Sequence, residues 1–115
     1  MAIAELHSGT ATISTAEYSL VTNSTVLGSS TVDGIYQVFI DLAAMTATEE
    51  YEITVKEKAI ASSTQRVVFR STVAGVQGSP IWVSPSLILH HGWDVTVDKI
   101  AGTDRSIVWS IRQVA

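Results

Sequence analysis

The chain has 115 residues, a formal net charge of −4, and charged side chains at 16 % of positions, where an ordinary globular domain has about 25 %. Seven Lys and Arg against eleven Asp and Glu exclude the clustered positive charge that a nucleic acid or an anionic membrane surface demands. The lack of cysteine excludes disulfides, zinc–thiolate sites and thiol nucleophiles, and no apolar run of about 20 residues is present to span a bilayer.

The length fits a single domain over residues 1–115, enough for one core without staples. The start, Met1 to Leu6, has neither the basic opening nor the apolar run of a signal peptide. It is expected to be an N-terminal arm, with synthesis in a cytoplasm. Weak strand signals follow over Glu5–Ser14 and Tyr18–Leu27. Asp33-Gly34 marks a turn, after which Tyr36, Val38, Ile40 and Leu42 alternate with Gln37, Phe39 and Asp41. The stretch from Leu42 to Glu50 reads equally as a short helix or a loop.

Further on, Tyr51, Ile53 and Val55 alternate with Glu52, Thr54 and Lys56. Ser62-Ser63 marks a turn. Val67 and Phe69 alternate with Arg66 and Arg70, with Val68 breaking the period. Trp93, Val95 and Val97 alternate with Asp94, Thr96 and Asp98, and Ile107, Trp109 and Ile111 alternate with Ser106, Ser110 and Arg112. A period of two is the signature of a half-buried strand, and the β-branched residues that dominate suit a pleated surface. Ala101-Gly102-Thr103-Asp104 predicts a hairpin between the last two strands. The sum is an all-β fold: a single-domain β-sandwich or jelly-roll-like barrel of about seven or eight mostly antiparallel strands.

The segment from Ser79 to Gly92 stands apart, since it holds both prolines, Pro80 and Pro85. Proline cannot donate to a ladder, so each marks an edge, an end or a bulge. The consecutive Leu87, Ile88 and Leu89 suggest a strand covered on both faces, or one partly buried by another subunit.

No catalytic constellation emerges. His90 and His91 are adjacent, so in an extended strand they face opposite ways and share no metal. His7 lies far off in sequence, and no zinc spacing is present. Glu49, Glu50 and Glu52 read as a solvated strand face, since no matched acid completes a glycosidase pair. There is no Gly-x-Ser-x-Gly elbow, and Gly75-Val76-Gln77-Gly78 lacks the lysine of a phosphate loop. The expectation is no enzyme and no cofactor or metal. Trp93 and Trp109 fall on apolar faces and belong to a core; Trp82, between the prolines, is the candidate interface anchor.

A charge-poor Ser/Thr exterior has a low desolvation cost and matches the charge depletion of interface cores. The expected contact residues are Met1, Ile3 and Leu6 of the arm, with Pro80, Ile81, Trp82, Leu87, Ile88, His90 and His91. The start Met1-Ala2-Ile3-Ala4-Glu5-Leu6, the stretch Asp33 to Asp41, the block Pro80-Ile81-Trp82-Val83-Ser84-Pro85, and the ending Gly92 to Thr96 and Asp104 to Arg112 together resemble small structural proteins of tailed bacteriophages. That resemblance implies a virion component, foremost a capsid decoration (cement) protein on the capsid exterior. It would bind the major capsid protein or other virion subunits as a homo-oligomer, with a trimer favoured. The alternatives are a tail or head–tail connector subunit, or a carbohydrate-binding β-sandwich module using exposed tryptophans.

Overall fold

A computed structural model describes residues 2–114. No helix forms among them; the 42–49 stretch is a turn-rich loop. Nine strands are present: β1 (Ile3–Ile13), β2 (Tyr18–Ser19), β3 (Gly34–Asp41), β4 (Glu50–Glu57), β5 (Arg66–Ala74), β6 (Ile81–Val83), β7 (Leu87–Leu89), β8 (Asp94–Ala101) and β9 (Arg105–Val114). They form two antiparallel sheets, a five-stranded one in the order β1-β9-β3-β6 with β7 also on β3, and a four-stranded one in the order β2-β8-β4-β5. The fold is therefore the sandwich of the two expected architectures, and not a closed barrel. Residues 3–6, expected as part of an arm, belong to β1, and Ile3, Ala4 and Glu5 pair with the end of β9.

The alternation seen in the sequence becomes the core. Tyr36, Val38, Ile40, Tyr51, Ile53, Val55, Val95, Val97, Ile107 and Ile111 point between the sheets and are buried. Trp93 and Trp109 join them, as their positions in the period predict. The Trp93 ring lies 4.7 Å from that of Tyr36. Their polar tips share one acceptor: Trp93 Nε1 and Tyr36 Oη donate to the Val32 carbonyl at 2.9 and 2.7 Å. Both aromatics thus bury large apolar areas without orphaning a donor.

Val68, which breaks the period of β5, is the extra residue of a β-bulge. Val55 pairs with Phe69 and Lys56 with Val67, so Val68 has no partner across the ladder.

The proline-bearing segment lies along one edge of the five-stranded sheet. β6 pairs with Phe39–Asp41 and β7 with Gly34–Tyr36, so one edge is built in two pieces on the same strand. At the break, the hydroxyl of Ser84 accepts from Val38 N at 2.9 Å, and Ser84 N donates to the Val38 carbonyl at 2.9 Å. The serine keeps the ladder satisfied where Pro85 interrupts it. Leu87 and Leu89 face inward, but Ile88 is 80 % exposed, so β7 alternates and is not covered on both faces.

One expected connection is corrected. β8 and β9 lie in different sheets, so Ala101 to Asp104 is a crossover between layers and not a hairpin. Of consecutive strands, only β4 and β5 pair with each other among the described residues. Their turn includes Ser62 and Ser63, where the sequence marks one.

Candidate functional site

Register fixes what the outer face of the five-stranded sheet presents. The inward residues of β3 are Tyr36, Val38 and Ile40, so Ile35, Gln37, Phe39 and Asp41 face outward. The same parity turns Val108, Ser110, Arg112 and Val114 of β9 outward. Ile3 pairs with Val114, Val114 with Ile35, and Ile35 with Ile88. These four side chains form an apolar row across four strands. Ile3 is 60 % exposed and Ile35 44 %, beside the still more open Ile88.

A second apolar group lies further along the same face. Phe39 pairs with Val83, and Asp41 pairs with both Ile81 and Val108; Ile81, Val83 and Val108 are all exposed. Between the groups, the Arg112 guanidinium carbon stands 3.7 Å above the Phe39 ring, and Arg112 Nε donates to Ser110 Oγ at 3.1 Å. The cation is held flat against the sheet and covers the aromatic face. Shallow depressions flank this pair on both sides.

The opposite face of the sandwich has a different character. Glu17, Glu52, Lys56, Arg70 and Asp98 gather on the four-stranded sheet, with Lys56 Nζ 2.7 Å from Glu17 and Arg70 Nε 3.3 Å from Glu52. Burial, followed by the carboxylates of Glu52 and Glu17, holds the Asp98 carboxyl above its ordinary value. The four-stranded layer therefore carries a cluster of paired charges, whereas the outer face of the five-stranded sheet sets apolar groups around the few charges of Glu5, Asp41 and Arg112.

The expected contact residues do not gather in one place. Ile3, Ile81 and Ile88 lie exposed on the apolar face. Met1 lies outside the described residues. Leu6 sits at a register shift in β1 and packs against the core. Pro80 is exposed at the entry to β6, and its carbonyl accepts from Leu42 N at 2.8 Å. Trp82 points inward, its ring 6.3 Å from that of Phe69. Leu87 also packs inward. His90 and His91 occupy the turn between β7 and β8, with their rings 4.0 Å apart.

Sequence reasoning leaves out Ile35, Phe39, Val83, Val108, Arg112 and Val114. A signal for them exists: Phe39 stands among the polar positions of its strand, and Val108 sits directly beside Ile107. Apolar residues of both parities in one strand mean either two covered faces or one face that awaits a cover.

Two buried acids serve structure. Glu49 does not lie on a solvated face; it is 1 % exposed. Its carboxylate accepts from Thr46 N, Thr46 Oγ1, Thr48 Oγ1, Thr103 N and Arg105 Nε. These bonds, led by that from Thr48, outweigh burial and hold its carboxyl well below the usual carboxylate range. Asp94, fully buried, accepts from Ser19 Oγ at 2.6 Å, Gly28 N at 2.8 Å and Val95 N at 2.9 Å. Neither carboxylate is free for catalysis. Among the described residues, no group of three or more His, Cys, Asp or Glu is placed to hold a metal ion.

The architecture is that of a two-sheet antiparallel β-sandwich. No family model matches the chain, and no curated relative matches it. Among solved structures it is similar to PirA, at a TM-score of 0.54 and 15 % identity over 94 % of each chain. Weaker likenesses are to the CBM22-1–GH10 modules of Clostridium thermocellum xylanase 10B solved with xylohexaose, and to a xylan-binding domain from CBM 22. The first has a TM-score of 0.43 at 14 % identity, over 76 % of this chain and 17 % of that one. The second has a TM-score of 0.40 at 17 % identity, over 86 % and 64 %. At 15 % identity the likeness to PirA is one of fold alone.

Proposed function

We propose that this chain is a non-catalytic virion subunit, a phage capsid decoration protein that lays the outer face of its five-stranded sheet on neighbouring subunits. The observation that carries the reading is the row Ile3–Val114–Ile35–Ile88, set in register across four strands, with Ile3, Ile35 and Ile88 exposed and Val114 half-buried among them. Full burial of one such side chain contributes about 1.5–3 kcal/mol. Ordering on association offsets much of that, but a shell repeats the contact many times. The sparse charge of the sequence and its resemblance to small phage structural proteins point the same way. The expected solution state is a trimer.

The test is co-sedimentation with empty phage heads assembled from the coat protein of the same genome. The wild-type chain is expected in the pellet, and the Ile35→Asp/Ile88→Asp variant in the supernatant. Equal partition of the two proteins, or no wild-type binding, rejects the reading. A glycan-array signal without head binding would support a carbohydrate-binding module instead. That module would have to act without exposed tryptophans, because Trp93 and Trp109 are buried and Trp82 faces the core.

A further inference from the structure

Away from the apolar face, an open depression lies between the β4–β5 hairpin and the turn from β7 to β8, lined by Lys58, Ser63, Thr64, Arg66, His90 and His91 around Glu57. Its electrostatics are unlike those of the rest of the molecule. The ion pairs of the described residues engage Lys56, Arg70, Lys99 and Arg105. Lys58 and Arg66 have no carboxylate within pairing distance among those residues, and both open into this one depression.

The reason lies in the ladder. Arg66 pairs across the hairpin with Glu57, its natural counter-ion. Glu57 is turned away from it: Glu57 Oε2 accepts from the backbone N–H groups of His90 and His91 at 2.5 and 2.9 Å. That carboxylate fastens the turn and leaves Arg66 uncompensated.

Lys58 is fixed by a separate set of contacts. Its own N–H donates to the His91 carbonyl at 2.9 Å, and its stem lies over Gly92, where a Cβ would stand 2.9 Å from Lys58 Cε. Gln65 Nε2 ties the hairpin to the same loops through the carbonyls of Gly28 and Gly92, at 3.0 and 2.8 Å. The walls are therefore braced, while the cations are left open. On a chain of net charge −4, two unpaired cations, Lys58 and Arg66, share this depression with two imidazoles and a threonine hydroxyl, against the one carboxylate of Glu57, which backbone N–H groups already engage. Asp33, with Oδ2 3.8 Å from His90 Nδ1, adds a second carboxylate at its margin.

We propose that this depression is an oxyanion-binding site that takes phosphate or sulfate groups on Lys58 and Arg66, with hydrogen bonds from His90, His91 and Thr64. The guanidinium offers paired N–H donors matched to a tetrahedral oxyanion, and the ammonium adds a point charge. The depression is broad and open, so the oxyanion can be free or carried on a larger molecule such as a sulfated glycan.

The test uses the whole chain at pH 7 and low salt. Pyrophosphate and a heparin hexasaccharide are titrated separately, and backbone amide shifts are followed by NMR. Saturable shifts at Lys58, Thr64, Arg66 and His91 are expected, and they should weaken as salt screens the charges. Saturation by pyrophosphate assigns a free phosphate; saturation by heparin alone assigns a glycan-borne sulfate. Lys58→Ala/Arg66→Ala is expected to weaken binding at least tenfold. Arg70→Ala/Lys99→Ala, which removes the same charge elsewhere, should change it less than threefold. Absence of binding by either probe, or equal loss in the two double variants, overturns the proposal. The amide spectrum of each variant reports whether it is folded.

Discussion

Arg105 Nε stands 3.0 Å from Glu49 Oε1, and this pair links the loop before β4 to the first residue of β9. Tyr51 Oη reinforces the link by accepting from Arg105 N at 2.8 Å and donating to the Thr103 carbonyl at 3.3 Å. The chain therefore leaves β8 and enters the opposite sheet around a buried carboxylate. Hydrogen bonds that a hairpin would make to itself are made here to Glu49 and Tyr51.

That arrangement makes part of the stability depend on acid. Glu49 titrates below its ordinary value of 4.5 in the folded chain, so on acidification the unfolded chain binds the proton first. Its contribution is complete above about pH 4.5 and is lost progressively as the pH falls below that value. Glu49→Gln should be less stable than wild type at pH 7 and should show a shallower loss between pH 4.5 and 2.5. Urea midpoints across that range measure it, and parallel curves would contradict the assignment.

Gly102 lies at the centre of the same corner with φ +88, and a Cβ there would come within 2.5 Å of the Thr48 carbonyl oxygen. The alanine variant meets both a disfavoured backbone region and the backbone of the facing loop. Gly102→Ala should cost at least about 1–3 kcal/mol. Equilibrium unfolding is the check; a change below about 0.5 kcal/mol would show that the corner yields.

Asp94 anchors the loop that follows β2 through Ser19 Oγ and Gly28 N. Asp94→Ala leaves those donors buried without an acceptor and should destabilise by about 2–4 kcal/mol. Asp94→Asn keeps one acceptor oxygen and should fall between the two. Hydrogen exchange at Gly28 should accelerate in both variants, and unchanged protection there would count against the anchoring role.

Ile88 makes the opposite case. Its side chain is mostly in solvent, so Ile88→Asp should leave the unfolding free energy of the isolated chain within about 0.5 kcal/mol of wild type. Association should suffer instead, as a fall in oligomer mass by light scattering. A large loss of monomer stability would mean that Ile88 belongs to the core.

The pattern of apolar residues carried the inner faces of the sheets. Tyr36, Val38 and Ile40, or Ile107, Trp109 and Ile111, state their own burial because side-chain direction in a strand follows parity, a local property. The all-β class followed from the same signal. Sheet membership did not. Asp94 and Thr96 occupy polar positions in β8 and are buried all the same, because Asp94 is enclosed by residues drawn from 19–28. Nor could local spacing tell a hairpin at Ala101–Asp104 from a crossover, since Gly102 suits either. The choice depends on Glu49, more than fifty residues away, meeting Arg105. The same holds for the candidate surface: Ile3, Ile35, Ile88 and Val114 are scattered along the chain, and only strand register sets them side by side. Parity is written in consecutive residues, whereas register and layer are decided by which distant strands come to share hydrogen bonds.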